Sequence, residues 1–284
     1  MLAFILIVTF MIGEFVAGLL SGSLALIADS GHMLTDVATL ALTIWSLRLA
    51  TRPPAAQWTY GFKRAEIVSA AVNGAVLGAV AIAILVQAGF RLGAPTSVHG
   101  VTMIFVAAVG VVVNLAALGI TARTNRANLN LRSAFVHLVT DVWATGGTLV
   151  AGIVIETTHF VRADALASIF VALLMVMTSL RLLRDSGRIL LEAAPKDIDL
   201  VAIQRHLMDV THVVSVHDLH VWVVTSDLPA LSAHVVLEDV CFFDGYAARV
   251  LDELQSCLAG HFDVAHSTFQ MEMASHVDHE DSSH

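Results

Sequence analysis

Two copies of one short pattern place a histidine and an aspartate four residues apart. The first copy reads HMLTD from His32 to Asp36, and the second reads HLVTD from His137 to Asp141. In a helix, residues four apart lie on one face, stacked one turn apart. Each copy therefore presents one imidazole nitrogen and one carboxylate oxygen on the same stripe.

Two such stripes that face each other supply four ligands, the number that a closed tetrahedral zinc site requires. Imidazole with carboxylate suits zinc and neighbouring transition-metal ions better than magnesium or calcium, which prefer shells of oxygen. We therefore predict a metal site formed by His32, Asp36, His137 and Asp141, with Zn2+ as its ion. Two alternatives stay open: the pairs could join helices by hydrogen bonds, or they could relay protons without a metal.

The composition is that of a membrane protein. Of the 284 residues, 57% are hydrophobic and only 14% are charged, and the mean hydropathy is +0.78. A helix needs about 20 mostly apolar residues to cross a bilayer. Six runs are long enough, and they cover roughly residues 2–20, 24–47, 65–90, 101–122, 133–156 and 161–183.

The two histidine-aspartate pairs lie on the second and fifth of these runs, at bilayer depth. Ionisable groups there cost about 2.5 to 3.5 kcal/mol each to insert, so they are candidates for function. Asp29 falls on the same face as His32 and is interpreted as a neighbour of the metal site, a cation access point or an interfacial carboxylate. Glu14, on the first run, is expected to make structural hydrogen bonds.

The charges divide the chain into two parts. Residues 1–183 carry a net charge of +3 and residues 184–284 carry −12. We expect a six-helix transmembrane domain at 1–184, a soluble domain at 185–275 and a polar, histidine-bearing tail at 276–284. The acidic balance argues against a nucleic-acid partner.

The soluble part alternates between helical and strand patterns. Residues 197–210 and 245–258 have the pattern of amphipathic helices, whereas the stretches from Val213, Leu231 and Ser267 are strand-like and rich in β-branched residues. The order helix, strand, strand, helix, strand predicts a small two-layer α+β domain.

Lysine and arginine indicate the orientation, because they accumulate in cytoplasmic loops. The connections after the second, fourth and sixth runs carry most of these residues, and the three opposite connections carry only Arg91 and Arg162. Both termini and the soluble domain are therefore expected in the cytoplasm. The compact loops and the lack of a cleavable signal favour the inner membrane of a bacterium.

Several longer motifs resemble the cation diffusion facilitator family. They are SGSLALIADSGHMLTD, YGFKRAE, LNLRSAFVHLVTD, VHDLHVW and LSAHVVLED, and the likeness covers essentially the whole chain. It is strongest to the zinc-transporting branch, whose members are homodimeric metal/proton antiporters with a cytosolic, metallochaperone-like domain of ferredoxin-like fold. The resemblance implies a transporter rather than an enzyme, one that exports divalent cations, chiefly Zn2+, in exchange for protons. It also makes the four membrane residues the transport site.

The resemblance implies a second, regulatory metal site in the cytosolic domain. Its ligands would be His217, His234 and Glu272, with His266 as a further candidate. Strand side chains alternate, so His217 and His220 point to opposite faces, and we assign His220 to packing or to the surface. Metal at this site could neutralise acidic charge and draw two protomers together.

Two departures from the family pattern stand out. The segment ATRPPAAQWTYGFK contains no histidine, aspartate or glutamate, so the metal site that some relatives have there is expected to be absent. A histidine-rich arm before the first run, found in many relatives, does not occur in this sequence either.

Two other classes of function, an enzyme and a sensor, could also use a zinc site in the membrane. A membrane zinc enzyme would need a water-activating acid beside an open site, as in HExxH, and the sequence has no such motif. A membrane-bound zinc sensor would use the same ligands but would transport nothing.

Overall fold

The computed structural model describes residues 2–53, 55, 57–123, 129–225, 228–243, 245–262, 264 and 266–277. The chain divides into two compact units. One comprises residues 1–45 with 69–184, and the other comprises 46–68 with 185–284.

The first unit is built from long apolar helices. In chain order they are α1 (Leu2–Ser21), α2 (Leu24–Ala50), α3 (Ala65–Gly93), α4 (Gly100–Arg123), α5 (Leu129–Thr158) and α6 (Arg162–Leu190). Among the described residues, α2 to α6 each contain a stretch that is long and apolar enough to cross a membrane, and α1 contributes the shorter stretch Val8–Ser21. Many outward-facing side chains are apolar, for example those of Phe90, Phe105 and Leu180. The predicted helical transmembrane region is confirmed.

Small residues let α3 and α6 approach closely. Gly74 and Gly78 are four apart on α3, and the Ser179 hydroxyl of α6 donates to the Gly74 carbonyl at 2.7 Å. A Cβ atom at Gly78 would lie only 2.6 Å from the Ser179 Oγ. Close backbone approach through small residues is how helices associate in lipid, where there is no hydrophobic force between them.

Asp164 of α6 caps the first turn of α2. Its carboxylate accepts hydrogen bonds from the Leu24 and Ala25 amides at 2.8 and 3.1 Å and from the Ser23 hydroxyl at 2.6 Å. A helix start leaves amide groups without partners, and a negative charge there is also favoured by the helix dipole. Because this carboxylate comes from another helix, it fixes the position of α2 against α6.

Arg91 of α3 joins the same cluster. Its Nη1 donates to the Gly22 carbonyl at 2.6 Å and lies 3.3 Å from Asp164 Oδ2. Gly22 has a φ of 70°, and a Cβ there would lie 2.8 Å from the Ser97 carbonyl oxygen, so the turn between α1 and α2 requires glycine. We call Asp164, Arg91 and the Gly22–Ser23 turn the terminal clamp.

The second unit contains a small sheet covered by helices. Its elements are α7 (Leu200–Met208), β1 (Val213–Thr225), β2 (Leu228–Leu237), a short 3-10 helix (Asp239–Phe242), α8 (Ala247–His261), β3 (His266–Met273) and α9 (Ala274–Val277). The sheet order is β1-β2-β3, with β1 and β2 antiparallel and β2 and β3 parallel. The predicted α+β class and element order are confirmed.

The core of this unit lies between the helices and one face of the sheet. On β2 the alternate residues Leu231, Ala233, Val235 and Leu237 belong to this core, which also contains side chains of α7 and α8. Strand side chains alternate between faces, so His234 projects from the opposite face of the sheet.

Helix α7 is shorter than the sequence pattern predicts. The Asp199 side chain accepts from the Val201 and Ala202 amides, which makes Asp199 the N-cap and starts the helix at Leu200. The predicted tail also differs at its start, because residues 274–277 form α9. Residues 278–284, including His279 and His284, lie outside the described residues.

We predict that Asp164→Ala destabilises the protein. The variant leaves the buried Leu24 and Ala25 amides without their acceptor and Arg91 without its carboxylate, which should lower the free energy of unfolding by about 2 to 3 kcal/mol. Thermal unfolding of the purified protein in detergent measures the effect. Asp185→Ala is the matched control, because its pair with Lys196 at 2.9 Å is half exposed and contributes little. Equal melting temperatures for the two variants would contradict the clamp.

Candidate metal centres

The membrane cluster is formed by α2 and α5, and its residues pair crosswise between the helices. His32 Nε2 lies 3.3 Å from Asp141 Oδ1, and His137 Nε2 lies 3.4 Å from Asp36 Oδ2. The two rings are 5.7 Å apart, edge to face. Each histidine thus faces the aspartate of the other helix, which is the result of placing two identical stripes antiparallel.

The crossed pairs form two layers with different exposure. In the layer of His32 and Asp141, the side chains are 5% and 17% exposed, whereas those of His137 and Asp36 are 42% and 35% exposed. Asp36 follows His32 along α2, so the open layer lies toward the C-terminal end of α2. The buried layer lies toward the terminal clamp.

Three of the four predicted ligands already have metal-binding spacing. Ligand atoms of His32, His137 and Asp141 all lie within 4.8 Å of one another. Asp36 adjoins this group through His137. A small side-chain movement of Asp36 would complete a shell of two nitrogens and two oxygens.

The buried layer has unmet polar groups that suit a cation. Neither ring nitrogen of His32 completes a hydrogen bond with a described residue, and the same is true of Asp141 Oδ1. Buried polar atoms are normally satisfied, so such a group calls for an explanation. A metal ion between His32 and Asp141 would satisfy both.

Hydroxyl groups hold the backbone of both ligand helices. The Thr35 hydroxyl donates to the His32 carbonyl at 2.7 Å, and the Thr145 hydroxyl donates to the Asp141 carbonyl at 3.0 Å. Asn114 of α4 donates to Thr145 Oγ1 at 3.1 Å. Thr145 was not identified from the sequence, since a threonine in an apolar helix carries no signal of its own.

A second cluster lies on the open face of the sheet in the other unit. Glu272 on β3 stands between two imidazoles, with its Oε1 2.8 Å from His234 Nδ1 and its Oε2 3.3 Å from His217 Nε2. His217 and His234 are direct cross-strand partners, and ligand atoms of all three residues lie within 4.8 Å of one another. Gln270 donates to Glu272 Oε1 at 2.8 Å.

Burial makes this cluster suitable for a cation. Glu272 is only 3% exposed, and a buried carboxylate requires a compensating positive charge. Two imidazole nitrogens and one carboxylate oxygen match the donor set of zinc sites that keep one position for a further ligand. The residues present therefore fit a zinc ion.

Asp218 adjoins this cluster and was not identified from the sequence. It has a φ of 49° and sits where the register between β1 and β2 shifts. Its carboxylate lies 2.8 Å from His220 Nε2 and 3.6 Å from His234 Nε2. His220 is exposed. The register shift pairs His217 with His234 and His220 with Ser232, which places both histidines of β1 on the same face of the sheet. The prediction that they point to opposite faces is therefore wrong, because the irregularity at Asp218 adds a residue between them.

His266 is not brought into the cluster. It begins β3, six residues before Glu272, which in a strand corresponds to about 20 Å. It pairs with Ala230 on β2, and its ring lies 6.1 Å from that of Tyr60.

Comparison with known proteins gives matches over nearly the whole chain. The family model for the cation efflux transmembrane domain matches residues 1–191, and that for the cytoplasmic domain of cation efflux proteins matches residues 195–274. The metal cation efflux system protein CzcD of Cupriavidus metallidurans is 35% identical, over 94% of this chain and 83% of its own length.

Two further relatives bear names that state a cargo. The zinc transporter ZitB of Escherichia coli is 36% identical, over 93% of this chain and 83% of its own length. A cadmium, cobalt and zinc/H(+)-K(+) antiporter of Bacillus subtilis is 34% identical, over 97% of this chain and 89% of its own length. The chain therefore belongs to the cation efflux family of membrane transporters.

Proposed function

We propose that this protein exports divalent transition-metal cations, chiefly Zn2+, across a membrane in exchange for protons. The cargo binds His32, Asp36, His137 and Asp141. The observation that carries the proposal is the crossed pairing of two imidazoles and two carboxylates between two membrane helices. The names of relatives that transport zinc, or zinc with cadmium and cobalt, support the same class of cargo.

Charge explains how this site can carry a doubly charged ion through lipid. An isolated ion in a medium of low dielectric is very costly, and two carboxylates cancel the charge of one divalent cation. The occupied site of Asp36, Asp141 and two neutral histidines is then neutral overall.

Competition for the same atoms couples metal to protons. A histidine must be neutral and a carboxylate ionised to bind metal, so protonation of the site releases the ion. A protonated imidazole has no nitrogen lone pair left for a metal ion, so His32 and His137 are suitable proton carriers for the return step.

The difference in exposure between the two layers supports an alternating-access cycle. The His137–Asp36 layer is the more exposed one, so a cation reaches the site from the C-terminal end of α2. The His32–Asp141 layer is closed. Rearrangement of the helices then opens the site toward the terminal clamp, and protons replace the metal.

We further propose the orientation and location that the charge pattern predicts. The loops rich in lysine and arginine face the cytoplasm. Both termini and the soluble domain, from residue 185 to 275, then lie on the cytoplasmic side, followed by the tail at 276–284. The cited relatives are bacterial, which supports a bacterial inner membrane.

In the cytosolic domain we propose a regulatory zinc site formed by His217, His234 and Glu272. His266 lies too far along β3 to share it. The protein acts as a homodimer, and metal at this site lowers the acidic charge of the domain, so that two protomers approach each other more closely.

A membrane-bound zinc sensor would bind the ion without moving it, and an enzyme would need an open, water-activating centre. We propose neither role for this protein. Flux separates the sensor from the transporter, because only a transporter moves zinc across a sealed membrane.

The transport site is tested by zinc flux into proteoliposomes under an imposed pH gradient. We expect Asp36→Asn and Asp141→Asn to reduce the flux by about two orders of magnitude or more, since even the loss of a group that only supports a metal ligand costs about 10- to 100-fold. Asp185→Asn, an exposed aspartate of α6, is the control and should retain native flux. Native protein that binds zinc but shows no flux at any gradient would instead make the protein a sensor.

The cytosolic site is tested by the zinc stoichiometry of the full-length protein. We expect the double variant His217→Ala, His234→Ala to lose one zinc per chain and the zinc dependence of dimer compaction, measured by small-angle scattering. It should still transport zinc, because the membrane ligands are intact.

His266→Ala is the matched control for this experiment, because it removes an imidazole from the same sheet. It should bind zinc as the native chain does. A loss of zinc in the His266→Ala variant equal to that in the double variant would contradict the assignment of ligands.

A further inference from the structure

Two buried acidic side chains outside the four-residue site face each other between α1 and α2. Glu14 is 1% exposed and Asp29 is 3% exposed. Their carboxyl groups lie within hydrogen-bonding reach of each other. No N–H or hydroxyl group of a described residue donates to either oxygen of Glu14.

Two carboxylates in this position require a proton. An ionised carboxylate only accepts hydrogen bonds, so two ionised groups side by side repel and gain nothing from their contact. Burial makes that repulsion more costly, since water does not screen it. One proton held between Glu14 and Asp29 turns the repulsion into a hydrogen bond.

The pair lies on the closed side of the metal site. Glu14 and Asp29 are eight and seven residues from Gly22, so the α1–α2 hairpin places them at the same height, about 10 to 12 Å from the turn. Asp29 is three residues before His32, which corresponds to about 4.5 Å along α2. The pair is therefore located between the terminal clamp and the buried layer of the site.

Asp29 also connects the pair to the second ligand of that layer. Its carboxylate is in hydrogen-bonding reach of Thr145, and the Thr145 hydroxyl contacts the Asp141 carbonyl. Among the described residues, the other ionisable groups that interact with Asp29 are His32 on α2 and Asp141 on α5. Helix α4, which packs against α1, has no acidic residue or histidine from Gly100 to Arg123.

We propose that Glu14 is a proton-holding residue of the exchange, which takes up protons from the side of the terminal clamp and hands them through Asp29 toward the metal site. This inference rests on the proposed metal/proton antiport. In each transfer the O–H bond of the Glu14 carboxylic acid breaks as an O–H bond forms on the Asp29 carboxylate. The O–H bond of Asp29 then breaks as the proton passes to a ligand of the metal-free site, and Glu14 regains a proton from a hydronium ion of the outer solution. One proton thus moves inward and no other atom is exchanged.

Glu14→Gln tests this role in the full-length protein in proteoliposomes. Glutamine has the shape of a neutral glutamic acid and can still donate to Asp29, but it cannot release a proton. We expect the zinc affinity to stay within about twofold of native, because the four ligands determine it. Zinc flux driven by the pH gradient should fall by about tenfold or more. The number of protons transported per zinc ion should fall together with the flux.

Glu156→Gln provides the matched control, because Glu156 is an exposed glutamate on α5. Native flux in Glu14→Gln, equal to that of the control, would overturn the inference and leave Glu14 as a structural hydrogen-bonder. Absence of flux in the native protein would instead overturn the proposed antiport, so the two failures are distinguishable.

A second variant covers the case in which Glu14→Gln does not fold. Glu14→Asp keeps a carboxyl group at a shifted position, and we expect reduced but still proton-coupled flux. Infrared difference spectra with and without zinc should show the stretch of a protonated carboxyl group, displaced in Glu14→Asp. An unchanged band and unchanged flux in Glu14→Asp would also overturn the inference.

Discussion

The need to balance charge in a medium of low dielectric governs this structure. Four ionisable side chains meet between α2 and α5, and each imidazole faces a carboxylate of the other helix at 3.3 or 3.4 Å. Such groups are costly at bilayer depth unless a cation or protons compensate them. Under the proposed function the site has two stable forms, metal-bound and protonated, and exchange between them would be the basis of antiport.

The remaining helices serve to hold α2 and α5 at the distance that this pairing requires. Asp164 fixes the start of α2 to α6, and Gly74 and Gly78 bring α3 against α6. Hydroxyl groups from Thr35 and Thr145 bond the carbonyls of the ligands themselves. The end of the bundle nearest the buried layer is thus bonded firmly, whereas the layer of His137 and Asp36 is open.

Periodicity predicted which residues share a face, but not which residues pair. The four-residue spacing placed His32 with Asp36 and His137 with Asp141 on single stripes, and only the antiparallel arrangement of the helices decides that the pairs cross. The strands and helices of the soluble unit were predicted in the correct order, because alternation and amphipathic spacing are local signals. Helix α7 proved shorter since its cap at Asp199 sets its start.

Local sequence patterns could not identify residues whose role depends on contacts between distant segments. The distance of His266 from Glu272 follows from strand geometry once β3 is known to begin at His266. The backbone of Asp218, with its positive φ, arises at an irregularity of pairing that no local pattern indicates. Glu14 was predicted to make structural hydrogen bonds, and its juxtaposition with Asp29, on which the proposed proton transfer rests, is visible only in the folded structure.

The two clusters differ in the charge that they carry once a divalent ion is bound, and this difference suits them to different roles. Two carboxylates at the membrane site make the occupied site neutral, so that the ion can be moved through lipid. The sheet cluster offers Glu272 as the one carboxylate among its three ligands, so a zinc ion bound by these three leaves a net positive charge, which the adjoining Asp218 offsets only from outside the ligand set. In a part of the chain with a net charge of −12, such a positive charge would reduce the repulsion between the protomers of the proposed homodimer. Under the proposed function, similar ligands therefore serve transport where their charge is cancelled and regulation where it is not.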